Sequence, residues 1–406
     1  MNTQTQSRFG QFALAALLVI GLSACEIDIN SDGIKGSGKQ ITEVRKLSAY
    51  KTIENQAFFD VQIEFADQAS VSVVGDDNLV GEIETEVVDE VLQIKNRRRN
   101  ISIAWNSHPG VVKIKVPALQ ALVNSGSGDV LISGINAQHF NLNLQGSGDV
   151  RVRGKIQQLE VTQNASGDLD LDEVELESLK LESRGSGEAQ LHEIKTSLIA
   201  TISGSGDLII NNLHAKEVKI DKSGSGDLRL NGQISHLQLE KSGSGDVSIK
   251  GLALAEADWQ INGSGDLTLG GEIAQLKLRN SGSGDIDATA LQVGQLDISN
   301  HGTAEIQFRS IKQKLKAELN GAGDFTAAVN DAELVTLGMH GSGDVVLNGQ
   351  AKKLQADLTG SGELKAHGLI LDVASVKVLG MGDAYVKVKN AEGARIVHVD
   401  KSGVVN

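Results

Sequence analysis

Residues 227–246 read DLRLNGQISHLQLEKSGSGD, and this stretch decides the fold. Leu228 and Leu230 flank Arg229, and Leu237 and Leu239 flank Gln238. A period of two over short runs predicts half-buried strands, because successive side chains on a strand point to opposite faces. Gly232 permits a bend between the two runs, Ile234 follows it, and Ser242-Gly243-Ser244-Gly245-Asp246 closes the unit. From Asp266 the same order returns as Leu267, Leu269, Gly271, Ile273, Leu276 and Leu278. The inward positions are aliphatic and the outward ones carry Arg, Ser, Thr, Asp or Lys.

Outward from this stretch the closing acid recurs as Asp129, Asp149, Asp168, Glu188, Asp207, Asp227, Asp246, Asp266, Asp285, Glu305, Asp324, Asp344, Glu363 and Asp383. These 14 corners are spaced 20 and 19 residues apart in strict alternation, so the unit is 39 residues made of two coils. Such periodicity is the signature of a solenoid. In the 20-residue coils the apolar set shifts to Leu208, Ile210, Leu213, Val218 and Ile220, or to Ile286, Ala288, Leu291, Leu296 and Ile298. The extra residue falls in the middle connection, which keeps corners and core ladders in register. The expected fold is therefore all-β, a right-handed parallel β-helix or β-solenoid of 19–20-residue coils, the hand being that of parallel crossovers. A single coil cannot offset its own conformational entropy, so stability belongs to the stack and both ends require caps.

At each corner Gly is expected to supply φ > 0, while Ser and Asp hydrogen-bond nearby backbone. In register the acids form a column at a spacing of about 4.8 Å, where neighbouring charges repel by roughly 1 kcal/mol in water. Backbone N–H donors, side-chain angle or bound cations would have to compensate. Calcium takes six to eight oxygens, whereas each corner offers one acid, relaxed to Glu three times and accompanied by Ala165 and Ala322 in two coils. The corner is read as structural, with no metal and no other cofactor.

The composition agrees. The 406 residues include 46 Gly but 2 Pro, and 40% are hydrophobic with 3% aromatic, which suits a regular aliphatic core. A net charge of −14 argues against nucleic-acid binding, which needs a basic surface. The single cysteine excludes an intramolecular disulfide. It stands at Cys25, directly after the apolar run FALAALLVIGL of residues 12–22 and Ser23-Ala24. The run is too short to span a bilayer, which takes about 20 residues. Residues 1–24 read as a secretory signal peptide. Leu22-Ser23-Ala24-Cys25 resembles the bacterial lipobox, which implies lipid attachment at Cys25 and a membrane partner held through the lipidated N-terminus. Glu26, where inner-membrane retention would use Asp, points to an outer-membrane lipoprotein, facing the periplasm or the exterior. Residues 25–39 read as a polar tether.

Residues 40–123 carry no Gly-Ser-Gly-Asp corner and read as the start and cap of the solenoid, while 124–406 form its repetitive body. Val71-Ser72-Val73-Val74 and Leu92-Gln93-Ile94-Lys95 alternate, and VVKIKVPALQAL at 111–122 runs into Asn124-Ser125-Gly126-Ser127-Gly128-Asp129. This junction resembles the putative auto-transporter adhesin head GIN domain family over residues 40 to 400, as more than one copy. The resemblance implies a parallel β-helix, an envelope setting and an adhesin-like role without established catalytic residues. A lipobox and no visible translocator barrel imply anchoring by lipid in place of autotransport.

Parallel β-helices also include polysaccharide lyases and hydrolases, so a carbohydrate-active enzyme is the alternative. The nine histidines, His108, His139, His192, His214, His236, His301, His340, His367 and His398, are scattered. His301 and His340 share a register but lie two coils, or about 10 Å, apart. No Gly-x-Ser-x-Gly elbow occurs, and the corner carboxylates are too uniform to single out an acid/base pair. Trp105 and Trp259 are dispersed, and Arg97-Arg98-Arg99 reads as a solvated loop. No catalytic residue is expected. An enzyme would break the repeat to build a cleft, and the spacing shows no break. The remaining roles are binding of surface proteins or glycans and a structural spacer; the oligomeric state is left open.

Overall fold

Alternation sorts the side chains as the pattern predicts. The computed structural model describes residues 34–98, 103–104, 110–390, 393–399 and 403–405. In the coil that follows Asp129, Val130, Ile132, Ile135, Phe140, Leu142 and Leu144 are buried, Ala137 packs against the core half-buried, and the alternate residues face outward. Successive coils pair in parallel, so that an inward column runs from Val112 and Val61 through Val130, Val150, Leu169 and Ala189 to Ala384. The architecture is a parallel β-solenoid. Irregularities in register fall in the middle of the coil, as between Ser133 and Ile135 or Asn231 and Ile234. There Gly134 and Gly232 hold φ of +75° and +147°, values that disfavour a Cβ.

The corner glycines are there for a different reason than expected. Gly263 alone among them has a left-handed φ. What forbids a side chain is the previous coil: a Cβ on Gly245 would lie 1.9 Å from the carbonyl oxygen of Gly226, and one on Gly226 2.1 Å from that of Gly206. The corners stack backbone on backbone.

The acid column is held by backbone donors. The N–H of Asp149 donates to Asp129 Oδ1 at 2.9 Å, that of Asp168 to Asp149 Oδ1 at 2.9 Å, and that of Asp266 to Asp246 Oδ1 at 2.8 Å. Each carboxylate thus serves the coil above it, and this charge-assisted bond offsets the repulsion. Among the described hydrogen bonds the chain of donors lapses after Glu188, Glu305 and Glu363, whose extra methylene carries the carboxylate past the next N–H. Burial, followed by the charges of Asp168 and Asp207, holds the Glu188 carboxyl above the ordinary range. Glu188→Asp is expected to restore the link and add about 1 kcal/mol, whereas Asp207→Ala, which strands the N–H of Asp227 (2.7 Å), should remove a similar amount. Urea midpoints that move in the opposite directions would refute this role for the column.

The structure adds a sixth inward position, just before each corner, that the repeat pattern did not single out. It is aliphatic at Leu144, Ile202, Ile261 and Leu319, but polar and buried at Asn124, Gln163, Ser183, Lys222, Lys241, Asn280 and Asn300. The polar members satisfy inward-turned groups of the corners. Gln163 Nε2 donates to the carbonyls of Gly167 and Gly187, and Asn280 Nδ2 to that of Gly282 and to Asn300 Oδ1.

Contrary to the expectation for residues 40–123, a corner is present there. Asn55-Gln56-Ala57-Phe58-Phe59-Asp60 stacks beneath Asn124–Asp129: Asn55 pairs with Asn124, the N–H of Ser127 reaches Ala57 O, and that of Asp129 reaches Asp60 Oδ1 at 3.1 Å. The coil beneath it is formed by Val91–Ile94 and Val111–Val116, with the N–H of Gln56 donating to Ile94 O and that of Asp60 to Gly110 O, and here Ala57 and Phe59 stand where later corners have Gly. The fully buried Phe59 ring lies against Gly110, where a Cβ would be 1.9 Å from it. Antiparallel strands close this end, with Gln40–Arg45 on Ser70–Asp76 and Ile83–Val88 on Val91–Asn96. The last six residues of the stretch read as a tether are docked: Ile34–Lys35 pairs with Ile103–Ala104, and the N–H of Gly38 reaches Asp76 Oδ2 at 3.1 Å. At the far end the parallel order stops after Ala384–Asn390, which folds back on Gly393–Val399 as an antiparallel hairpin. His398 Nε2 there lies 3.1 Å from Asp383, the last acid of the column.

Candidate functional site

Among the described residues, the ladder on the face that precedes the corner is interrupted beside Leu237. Along the face that precedes the corner, consecutive coils from residues 139–144 to 373–378 are joined over five or six residues, as Val218–Lys222 are to Leu237–Lys241. Between that last strand and the next, pairing is confined to Glu240↔Gln260 and Lys241↔Ile261. Leu237, Gln238 and Leu239 have no ladder partners on that side.

The cause is a large side chain in a small place. Trp259 is buried at a position held by Leu278 and Ile298 in the coils above. Its indole N–H donates to the carbonyl of Leu237 at 3.3 Å, an acceptor otherwise directed at the ladder. The neighbouring inward residue is Ala257, where the following coils have Leu276 and Leu296. The pair exchanges a small residue for bulk, and the wall parts beside it. Leu237 and Ala257 are accordingly 7% and 8% exposed, while Leu276 and Leu278 above them are at 2% and 0%.

Over the opening lies a cleft of about 940 Å³ that runs from Glu217 to Lys316 across successive coils. Its walls are outward columns in register. One reads Asp258, Lys277, Asp297, Lys316, and another Glu256, Gln275, Gln295, Lys314. Asp258 is paired with Arg279 at 2.5 Å and Lys316 with Asp297 at 3.5 Å. The acids Glu217, Glu240, Glu256, Asp258 and Asp297 face the bases Lys219, Lys277, Lys314 and Lys316, so the lining is close to neutral in a strongly acidic chain. Donors and acceptors of both kinds beside the partly uncovered Leu237 and Ala257 can bind; they are not arranged as an isolated acid and base.

Of the candidate site residues named from sequence, Trp259 and His236 lie at the opening, and the others that are described lie elsewhere. His301 contacts Asn320 at 3.2 Å and His340 contacts Thr359 at 2.7 Å, on separate coils. Arg98 makes a two-pronged pair with Glu82, and Arg97 approaches Glu84 at 3.6 Å, both in the cap. Cys25, the signal peptide, Arg99 and Trp105 lie outside the described residues. Among the described residues no helix is long and apolar enough to cross a membrane, and no group of three His, Cys, Asp or Glu converges. The opening was missed because the corner spacing is uniform through it. The available signal was Trp259 with Ala257, an exchange of sizes at two inward positions.

Residues 49–235, 173–268, 235–327 and 309–399 each match the model of the family described as putative auto-transporter adhesin, head GIN domain. No curated protein is a recognisable relative. Among solved structures, a putative adhesin from Bacteroides fragilis is 20% identical with a TM-score of 0.39, covering 63% of this chain and 99% of its own. A putative adhesin from Parabacteroides merdae is 15% identical with a TM-score of 0.24, covering 87% and 98%. A putative cell adhesion protein from Clostridium sporogenes is 14% identical with a TM-score of 0.17, covering 59% and 99%.

Proposed function

Because the chain belongs to the family described as putative auto-transporter adhesin, head GIN domain, we propose that it is a lipid-anchored protein of the cell envelope that binds a surface partner at the open wall beside Trp259 and performs no chemistry on it. The observation that carries this reading is the opening itself: among the described residues, an interruption of the ladder on the face that precedes the corner, lined with paired polar columns. A pre-formed frame spends little ordering entropy on binding. The adhesin-like label of the family supports a surface or envelope setting, and the lipobox at Cys25 supports an outer-membrane lipid anchor. The non-catalytic reading is supported by corner carboxylates engaged with backbone N–H groups and by histidines without a shared centre.

Cys25→Ser is expected to move the protein from the membrane fraction to the soluble fraction, since stable anchoring takes two acyl chains. Retention of the variant on membranes would sink the lipid anchor. The released variant is then the reagent for whole-cell binding, where saturable attachment that survives high salt is expected and its absence counts against the adhesive role.

A further inference from the structure

We infer that the cleft over Leu237 and Ala257 takes a neutral, hydroxyl-rich chain, an oligosaccharide laid along the stacking axis. This rests on the reading of the opening as a binding site and adds the chemistry of its ligand.

Charge is the first argument. The lining holds five carboxylates and four ammonium groups, and several of them already neutralise one another across register, as Asp258 does with Arg279 and Lys277. A polyanion or polycation would meet as much repulsion as attraction. A ligand of hydroxyl groups, each both donor and acceptor, would find partners of either kind. The second argument is the kind of polar group. Gln275 and Gln295 stand in register in one column, with Gln238 on the near side of the opening. Amides and carboxylates are planar and offer two polar atoms each, so they can engage adjacent hydroxyls without a charge on the ligand.

The floor supplies the third. Leu237 and Ala257, 7% and 8% exposed, form a small aliphatic patch at the opening beneath the polar rim, suited to the C–H face of one sugar ring. Fourth is length. The lining spans six coils, from Glu217 to Lys316, or about 24 Å at the spacing of strands, which calls for a chain and not a single ring. An added polypeptide strand is the competing occupant, because Leu237 and Leu239 leave ladder positions open. It does not fit. The wall is closed again at Glu240↔Gln260, and a strand needs about 4.8 Å on either side.

The test uses the full chain carrying Cys25→Ser, with Trp105→Phe so that Trp259 is the sole tryptophan. Cellohexaose, maltohexaose and chitohexaose are titrated beside an oligogalacturonate and an extended peptide, at low and high salt, by calorimetry and Trp259 emission. At least one neutral hexasaccharide should bind saturably, shift the emission and keep its affinity in high salt. Ala257→Leu with Trp259→Leu, which gives this coil the residues of its neighbours and should close the wall, is expected to weaken binding about tenfold or more by calorimetry. Gln275→Ala with Gln295→Ala, surface changes that leave the core alone, should do the same. Preference for the anionic sugar or the peptide, no binding of any neutral sugar, cleavage of the sugar, or binding indifferent to both double variants would each overturn the inference. Whole-cell attachment that depends on the opening while no sugar binds would leave the adhesive role standing and remove the saccharide; loss of both would remove both.

Discussion

Gly245→Val is expected to lower the stability of the solenoid by about 4 kcal/mol or more, the range reached when a substitution meets atoms that cannot move aside. The first atom of the new side chain would lie 1.9 Å from Gly226 O, 2.7 Å from Gly226 C and 2.7 Å from Ser225 O. All three are backbone atoms of the coil beneath. That coil's corner rests on the next in the same way, so relief would have to part the stack and break the ladders on either side. Because coils stabilise one another only through their neighbours, the damage is felt along the stack. Gly270→Ala is the control. There a Cβ would meet Ala290 Cβ at 3.6 Å, an ordinary contact, and φ is not left-handed. Its effect should stay within about 1 kcal/mol and favour folding by restricting the unfolded chain. Equal urea midpoints for the two variants would show that backbone stacking does not govern the corner.

The double substitution Lys222→Ile with Lys241→Ile should raise stability by about 2–4 kcal/mol near pH 7. These lysines are 0% and 1% exposed, adjacent in one inward column and bounded by Ile202 and Ile261, so isoleucine suits the site. Their ammonium groups reach only backbone carbonyls, Lys222 that of Gly224 at 2.7 Å and Lys241 that of Gly265. Burial pushes both below the ordinary lysine range, and in Lys241 the charge of Lys222 pushes the same way. The corner aspartates offset this only in part; a buried charge without an ion-pair partner in contact is costly, and apolar replacements of similar volume are often stabilising. The sign of the pH dependence follows. In the unfolded chain a lysine keeps its proton up to about pH 10.4, whereas in the fold it gives it up earlier. Between those values the unfolded state binds more protons, so wild-type stability rises with pH, is complete above the ordinary value and is lost as pH falls through the folded one. The advantage of the variant should therefore shrink as pH rises toward 10.4. An advantage that stays level with pH, or a less stable variant, would contradict this account.

Much of this could be read without coordinates because a solenoid turns local pattern into global structure. Leu228, Leu230, Ile234, Leu237 and Leu239 are all buried, as their alternation requires, and the alternating 19/20 spacing placed the extra residue in mid-coil, where the register shifts occur. The corner at Asn55–Asp60 was hidden because it keeps only the closing acid of the signature, with Ala57 and Phe59 in place of glycine. The sixth inward position was hidden by its chemistry, since Lys222, Lys241 and Asn280 read as solvated residues until the corner carbonyls they serve are seen. Trp259 was visible but not its consequence, because the ladder it interrupts joins residues some twenty apart in sequence.

The Gly-Ser-Gly-Asp repeat was thus sufficient for the architecture: its period equals one circuit of the wall, so each corner falls on the last. Why the corner needs glycine, how its acids are reconciled and where the wall opens were settled only by stacking. Each depends on an atom of the adjacent coil, the carbonyl of Gly226 under Gly245, the N–H of Asp227 over Asp207, the carbonyl of Leu237 beside Trp259. Within one coil those atoms do not exist.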